Sequence, residues 1–459
     1  MQLGETFERF LQQAPISVMV RALLERTLDP TEIDRLFESA ATDQYTREIL
    51  FSSLVKLMAA VVCGIQPSIR AASISSLGEI AASLSAVYEK LQGIERDVCR
   101  TFVTDTVGKL EPVVHQLGAT LPQPVPGYRA KVLDGNHLAG TEHRIGPTRT
   151  TRAAVLPGQA LVVLDLATML VIDAVSCEDA YTQERALIDQ VLPGVEPGDL
   201  WIEDRNFCTT RLVFGVRARG GSFLVRQHQS TLYWSETTPW VTAGRTDTGL
   251  VHEQTIQVHD PVSDESMELR RIRLDLDQPT EDKETVIFLV TDVPKDRADA
   301  LLLSETYRLR WRLENVFQTL TETLTCEINT LAYPKAALFG FCVALVMYNV
   351  LAVVRAALRS EHGREVVEAK VSNYYLGNEV ASTYEGMMIA VPPAEWKPFQ
   401  KLSTGEMADF LREAASQVWL AKYPRTVRGP KKPPPQRTSG KTDHHVSTAR
   451  LLHKQIQQE

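Results

Sequence analysis

Residues 337–354 run from Ala337 to Val354 without one charged side chain. A helix that is apolar around its whole circumference has to be covered on every side, by lipid or by protein. The run is long enough to cross a bilayer. It is also the only one of its kind in the chain, and Asn349 interrupts it. The expectation is therefore a helix buried inside a large α/β core, with a single-pass membrane protein as the rival reading. A chain of 459 residues can supply such a core in two to four domains. Its 44% hydrophobic and 23% charged residues are ordinary for a globular protein.

The six cysteines, at 63, 99, 177, 208, 326 and 342, show no C-x-x-C and no paired spacing. That pattern argues against a zinc site or a disulfide framework and fits a reducing cytoplasm. The first residues, Met1 to Glu5, lack the basic segment and apolar stretch of a signal peptide. Net charge is −8, but it is unevenly spread. Residues 422–454 hold nine Lys/Arg against the single acid Asp443, leaving forty bases against fifty-six acids elsewhere. A local basic patch is what attracts a phosphate backbone, whatever the total charge.

Along the chain, residues 1–120 read as helical. Ile74, Leu77, Ile80, Leu84, Val87 and Leu91 recur at helix spacing, and Asp29-Pro30-Thr31-Glu32 has the form of a helix start. The proline-rich Leu121–Gly127 marks a boundary. Strands are then expected at 128–134, at 160–166 and 169–175 as a hairpin, at 199–204 and at 222–227. Helices are expected at 178–192 and 208–219. Three strands, a helix, a strand, a helix and a strand is the order of a ribonuclease-H-like core. This gives an α/β fold class, a mixed sheet with flanking helices. The expected domains are a helical region at 1–120, the first part of the core at 128–227, and a β-rich insertion at 228–295. The core is completed at 296–358, followed by a helical region at 359–421 and a basic, proline-rich, disordered tail at 422–459. Within the insertion, residues 268–276 and 285–293 read as strands.

Three acids stand out against this frame. Asp134 closes the strand-like Lys131–Leu133, Asp204 closes Leu200–Glu203, and Glu314 lies inside a helical pattern from Leu303 to Leu320. Three converging carboxylates can hold two divalent ions about 4 Å apart for phosphodiester chemistry. For Asp204 the competitor is Glu203, since strand alternation sends neighbouring side chains to opposite faces. Both faces of a buried parallel strand are apolar, so parity leaves that choice open; terminal position and the following Arg-Asn-Phe favour Asp204. Leu303, Tyr307, Arg310 and Glu314 step by 4, 3 and 4, which places them on one helix face. Taken alone, that row reads as a surface helix with an Arg–Glu pair.

The stretch Tyr307-Arg308-Leu309-Arg310-Trp311-Arg312-Leu313-Glu314 resembles the Y-x2-R-x3-E-x6-K motif of bacterial insertion-sequence transposases, in the branch founded on insertion sequence four. Asp204-Arg205-Asn206-Phe207 resembles that family's second-aspartate motif, and Val132-Leu133-Asp134-Gly135 its first. The resemblance covers roughly residues 128–355, with a fainter echo at His445-Val446-Ser447-Thr448. It implies a DDE transposase whose Asp134, Asp204 and Glu314 hold Mg²⁺, with Mn²⁺ able to substitute. The partners it implies are double-stranded DNA, as element ends and target, and a second copy of the chain in the DNA complex. It further implies a bacterial, cytoplasmic, nucleoid-associated protein with no nucleotide cofactor and no membrane. One position departs: the motif's lysine is Thr321 here, and Lys335 is the nearest candidate to replace it. A catalytically decayed DNA-binding relative is the alternative that Thr321 suggests.

Further DNA contacts are expected from Tyr307 and Arg310, from Arg205, and from Arg144, Arg149 and Arg152 in the basic loop after Asp134. His137 and His143 are given no chemical role. Trp234 and Trp240 are candidates to stack on a flipped base, although aromatic residues more often serve a core or surface.

Overall fold

The computed structural model describes residues 4–457 apart from 45–47, 76–81, 139–140, 142–143, 152, 229, 281–282 and 426–444. Arg152 and His143 therefore lie outside the described residues.

The strands are β1 (Arg129–His137), β2 (Val155–Leu156), β3 (Gln159–Asp165), β4 (Val171–Cys177), β5 (Asp199–Glu203), β6 (Ser222–Arg226), β7 (Tyr233–Glu236), β8 (Val241–Thr246), β9 (Gly249–His259), β10 (Ser266–Leu276), β11 (Val286–Thr291) and β12 (Val446–Ser447). A single mixed sheet runs β4-β3-β1-β5-β6-β11-β10-β9-β7, with β8 also on β9. β1, β3 and β4 form an antiparallel meander, while β1, β5 and β6 are parallel. The expected hairpin at Ala167-Thr168 has a local cause. The buried Asp165 carboxylate accepts from the Ala167 and Thr168 amides at 2.9 and 2.8 Å, and Met169 takes φ +61° to complete the turn.

The β-rich insertion is not a separate lobe. It holds five strands where two were expected, and β11 pairs antiparallel with β6 through Leu289–Arg226 and Val290–Val225. The core sheet thus continues directly into it. The helix expected at 178–192 is also corrected. Asp179 captures the Tyr181 amide at 3.0 Å, and Pro193 follows, so the segment breaks into short turns at Glu184–Leu187, Ile188–Val191 and Leu192–Gly194.

Residues 337–354 lie in the helix Pro334–His362, whose apolar stretch is buried in the protein. Around it pack the helices Phe51–Val62, Arg96–Gln116 and Thr404–Ser416, together with β4. Asn349, which interrupts the apolar run, is fully buried, and both ends of its amide are bonded. Its Oδ1 accepts from the Val171 N–H and its Nδ2 donates to the Val171 carbonyl, both at 2.8 Å. A side-chain amide thereby satisfies backbone groups of the edge strand β4. The N-terminal and C-terminal helices share one hydrophobic core around this helix, so the expected separation of 1–120 from 359–421 does not appear in the packing.

The tail at 422–459 is in part folded, against the expectation of disorder. β12 pairs in parallel with β2, and the helix Thr448–Ile456 packs on the turn Gly146–Thr148. Arg450 fixes it there through Asp179 at 2.8 Å and by lying 4.8 Å from the centre of the Tyr181 ring.

Candidate active site

The register of the sheet resolves the competition between Glu203 and Asp204. Leu133 pairs with Glu203 across the parallel β1–β5 ladder. Leu133, Trp201 and Val225 look into a second apolar core, covered by the helix Thr210–Arg217, while Val132, Ile202 and Leu224 look into the core shared with the long helices. Alternation puts Asp134 with Val132 and Asp204 with Ile202, on the face where the helix Trp311–Glu322 packs against β1. Glu203 points the other way. It is fully buried, neither carboxylate oxygen has a hydrogen-bond partner among the described residues, and burial holds its pKa well above the usual range. Asp204 itself extends the strand with φ −77° and ψ 169° before a single turn at Arg205–Phe207.

Glu314 comes to the same face by a different route from the one expected. The continuous helix across Leu303–Leu320 is two helices, Ala300–Arg308 and Trp311–Glu322. Between them the chain tightens into i→i+3 hydrogen bonds, Leu309 N to Thr306 O at 3.0 Å and Arg310 N to Tyr307 O at 3.1 Å. Arg310 sits at this joint and still reaches Glu314 one turn on.

The Arg310 guanidinium was expected to face DNA phosphates, and the structure places it inward. Its Nη1 donates to Asp134 Oδ2 at 2.6 Å and its Nη2 to Glu314 Oε1 at 2.9 Å. The side chain is 13% exposed, and its Nε is buried without a partner among the described residues. Burial works against the guanidinium charge, but Asp134, Tyr307, Asp204 and Glu314 outweigh it and raise the pKa of Arg310. Asp134 is pushed up to about 7 by burial, with Asp204 and Glu184 adding to the rise. Arg310 and the Gly135 amide, which donates to Asp134 Oδ1 at 2.9 Å, oppose it without cancelling it. Tyr307 is half-buried beside them. Burial, and then the charge on Asp204, raise its pKa and keep it a phenol.

Sequence reasoning passed over Glu184. The breakdown of the expected helix at 178–192 places its carboxylate against Gly135. A Cβ added at 135 would lie 1.9 Å from Glu184 Oε1. Asn206 donates to Glu184 Oε2 at 3.4 Å, and burial raises its pKa with Asp204 adding to the rise. Gly135, directly after the first aspartate, was the available signal, because only a residue without a side chain lets another carboxylate approach there.

The remaining expected contacts are distributed around this cluster. Arg205 bonds Glu284 at 3.1 Å, and Arg226 reaches the same carboxylate, so the β10–β11 connection ties down the rim of the site. Arg144 and Arg149 are exposed in the loop after β1, where Arg149 donates to the Arg144 carbonyl at 3.1 Å. Trp234 and Trp240 do not stand free to stack. Their rings lie 4.3 and 5.3 Å from the Arg271 guanidinium, with Phe288 also at 4.3 Å. Thr321 is exposed and bonds its own helix, and Lys335 lies in the first turn of Pro334–His362. Next to Tyr307 and Trp311 a cleft of about 320 Å³ opens between the helix Ala300–Arg308 and strands β10 and β11.

Residues 126–350 match the family model of the transposase DDE domain. The match spans β1, β5 and the helix of Glu314, and it supports a DDE transposase. No curated protein sequence matches the chain. Among solved structures, a cryo-EM structure of the piggyBac transposase synaptic complex with hairpin DNA is similar over 89% of this chain and 86% of that one, at 10% identity and a TM-score of 0.37.

A DDE domain implies divalent metal. Hard carboxylate oxygens are the right donors for Mg²⁺ or Mn²⁺. As placed, however, no three His, Cys, Asp or Glu side chains among the described residues surround a common point. Arg310 bonds one oxygen of Asp134 and one of Glu314. Arg310 thus supplies positive charge inside the acidic cluster.

Proposed function

We propose that this protein is a transposase that cuts phosphodiester bonds at the ends of a DNA element and joins those ends to target DNA. One observation carries the reading. Within the stretch that matches the DDE domain, adjacent parallel strands and one helix bring Asp134, Asp204 and Glu314 to a single face around Arg310. The strand order β4-β3-β1-β5-β6, with its antiparallel meander and parallel continuation, supports a ribonuclease-H-like core. The strands inserted before Glu314 and the Tyr307-Arg310-Glu314 spacing support the branch founded on insertion sequence four. In this reading Asp134, Asp204 and Glu314 hold Mg²⁺, and the DNA partners are element ends and target. The protein works in the bacterial cytoplasm at the nucleoid, as a homodimer on DNA.

Nicking of supercoiled plasmid tests it. Wild-type protein with Mg²⁺ or Mn²⁺ is expected to nick, and EDTA or Asp204→Asn to abolish nicking with the fold intact by circular dichroism. A second reading, a DNA-binding relative that has lost catalysis, is favoured by Thr321 at the motif's lysine position. Retention of DNA in a gel shift with no metal-dependent nicking would establish it instead.

A further inference from the structure

We propose that Arg310 is the resident counter-cation of the acidic site, and that a divalent ion enters only by displacing it. The proposal rests on the reading of Asp134, Asp204 and Glu314 as metal ligands.

The geometry carries it. Two nitrogens of one planar group bond two of the carboxylates read as metal ligands, at 2.6 Å on Asp134 and 2.9 Å on Glu314. The guanidinium therefore stands where positive charge is required, and a divalent ion brought to the same oxygens would meet its charge at close range. The acids also need such a cation when metal is absent. Asp134, Asp204, Glu184 and Glu314 crowd a half-buried face, where like charges repel strongly, and a guanidinium supplies charge together with directional bonds.

Two features mark the arrangement as exchangeable. The guanidinium is not fully satisfied, since its buried Nε has no partner among the described residues. It also projects from the joint between two helices rather than from the middle of one. Once displaced, the freed group is one joint away from the exposed Arg308 and Trp311. Binding of metal and release of Arg310 are then one equilibrium. Whatever draws Arg310 outward, a DNA phosphate above all, tightens metal binding, and by reciprocity metal frees Arg310 for the phosphate. The site would load its ions when DNA is present and stay charge-compensated when it is not.

Mn²⁺ binding to the full-length, DNA-free protein, measured by calorimetry and by electron paramagnetic resonance, tests this without reference to activity. Arg310→Ala is expected to bind Mn²⁺ at least about tenfold more tightly than wild type, within the range usual for coupled sites. It should also gain more thermal stability from the ion. Arg310→Lys, which keeps a positive charge without the fork, should fall between the two. Should R310A fail to fold, R310Q keeps the length of the side chain and carries the same expectation. Equal or weaker Mn²⁺ binding by the neutral variants would overturn the proposal, because it would make Arg310 a support of the metal site. A different result would overturn the underlying assignment: no Mn²⁺ binding, in wild type or variant, that Asp204→Asn removes.

Discussion

At the scale of single residues, the site depends on carboxylates held in unequal surroundings. Glu203 and Asp204 are chain neighbours, yet one is sealed in an apolar core and the other opens onto the acidic cluster. A buried carboxylate with no partner is costly, and burial holds the Glu203 pKa well above the usual range. The sign follows directly. A raised folded-state pKa contributes stability that is full below about 4.5, the ordinary value, and is lost as pH rises towards the raised one. Glu203→Met, which replaces the carboxyl by apolar atoms of similar volume, should raise stability by about 1–3 kcal/mol. It should also flatten the decline of melting temperature with pH above 4.5; a lower melting point for the variant would mean that the carboxyl is paired after all. Glu184 gives a second prediction at this scale. Gly135→Ala would push a methyl into the far end of the Glu184 side chain, which is flexible enough to move away at little cost to the fold. Plasmid nicking is expected to fall in both G135A and Glu184→Gln, with melting temperatures near wild type. Full nicking by G135A would show that the place of Glu184 beside Asp134 does not matter.

Single elements derive much of their stability from polar groups placed at their ends and edges. Asp29, with Pro30 behind it, starts the helix Pro30–Ala40 by accepting from Thr31 and Glu32 at 3.0 and 3.1 Å. That was legible from four residues because a helix cap is a local matter. The long helix Pro334–His362 is different. Its apolar length was plain in the sequence, but the purpose of Asn349 was not, since its partner Val171 is 178 residues away. Asn349→Ala should leave a buried N–H and a buried carbonyl of β4 unpaired and cost on the order of 3 kcal/mol. Denaturant unfolding measures this, and a loss below about 1 kcal/mol would mean that β4 finds other partners. The helix expected at 178–192 failed for a local reason. Its apolar spacing fits a helix, but Asp179 and Pro193 set local turns that the spacing does not override.

For the whole molecule, the organising fact is one core wrapped around one buried helix. Val346 is fully buried near the middle of that helix, so Val346→Asp would place an uncompensated charge among side chains from both ends of the chain. A cost of several kcal/mol and largely insoluble protein are expected on expression, and soluble, cooperatively folding V346D would argue against a closed core. The same packing predicts that residues 1–125 do not fold alone, because Arg96–Gln116 needs the helix Pro334–His362 and β4 to cover it. A well-dispersed NMR spectrum from that fragment would contradict this. Much was written in the sequence itself: the buried helix, the strand order as far as β6, and the three acids with their motif spacing. These depend on periodicity, local turn chemistry and position in the chain, all of which are short-range. What tertiary structure alone decided depends on residues far apart in sequence. Strand register chose Asp204 over Glu203, the β6–β11 ladder turned an insertion into a continuation of the sheet, and a broken helix delivered Glu184 to Gly135. Above all, folding turned Arg310 inward onto Asp134, 176 residues away, because a half-buried cluster of carboxylates draws in whatever cation the fold brings within reach.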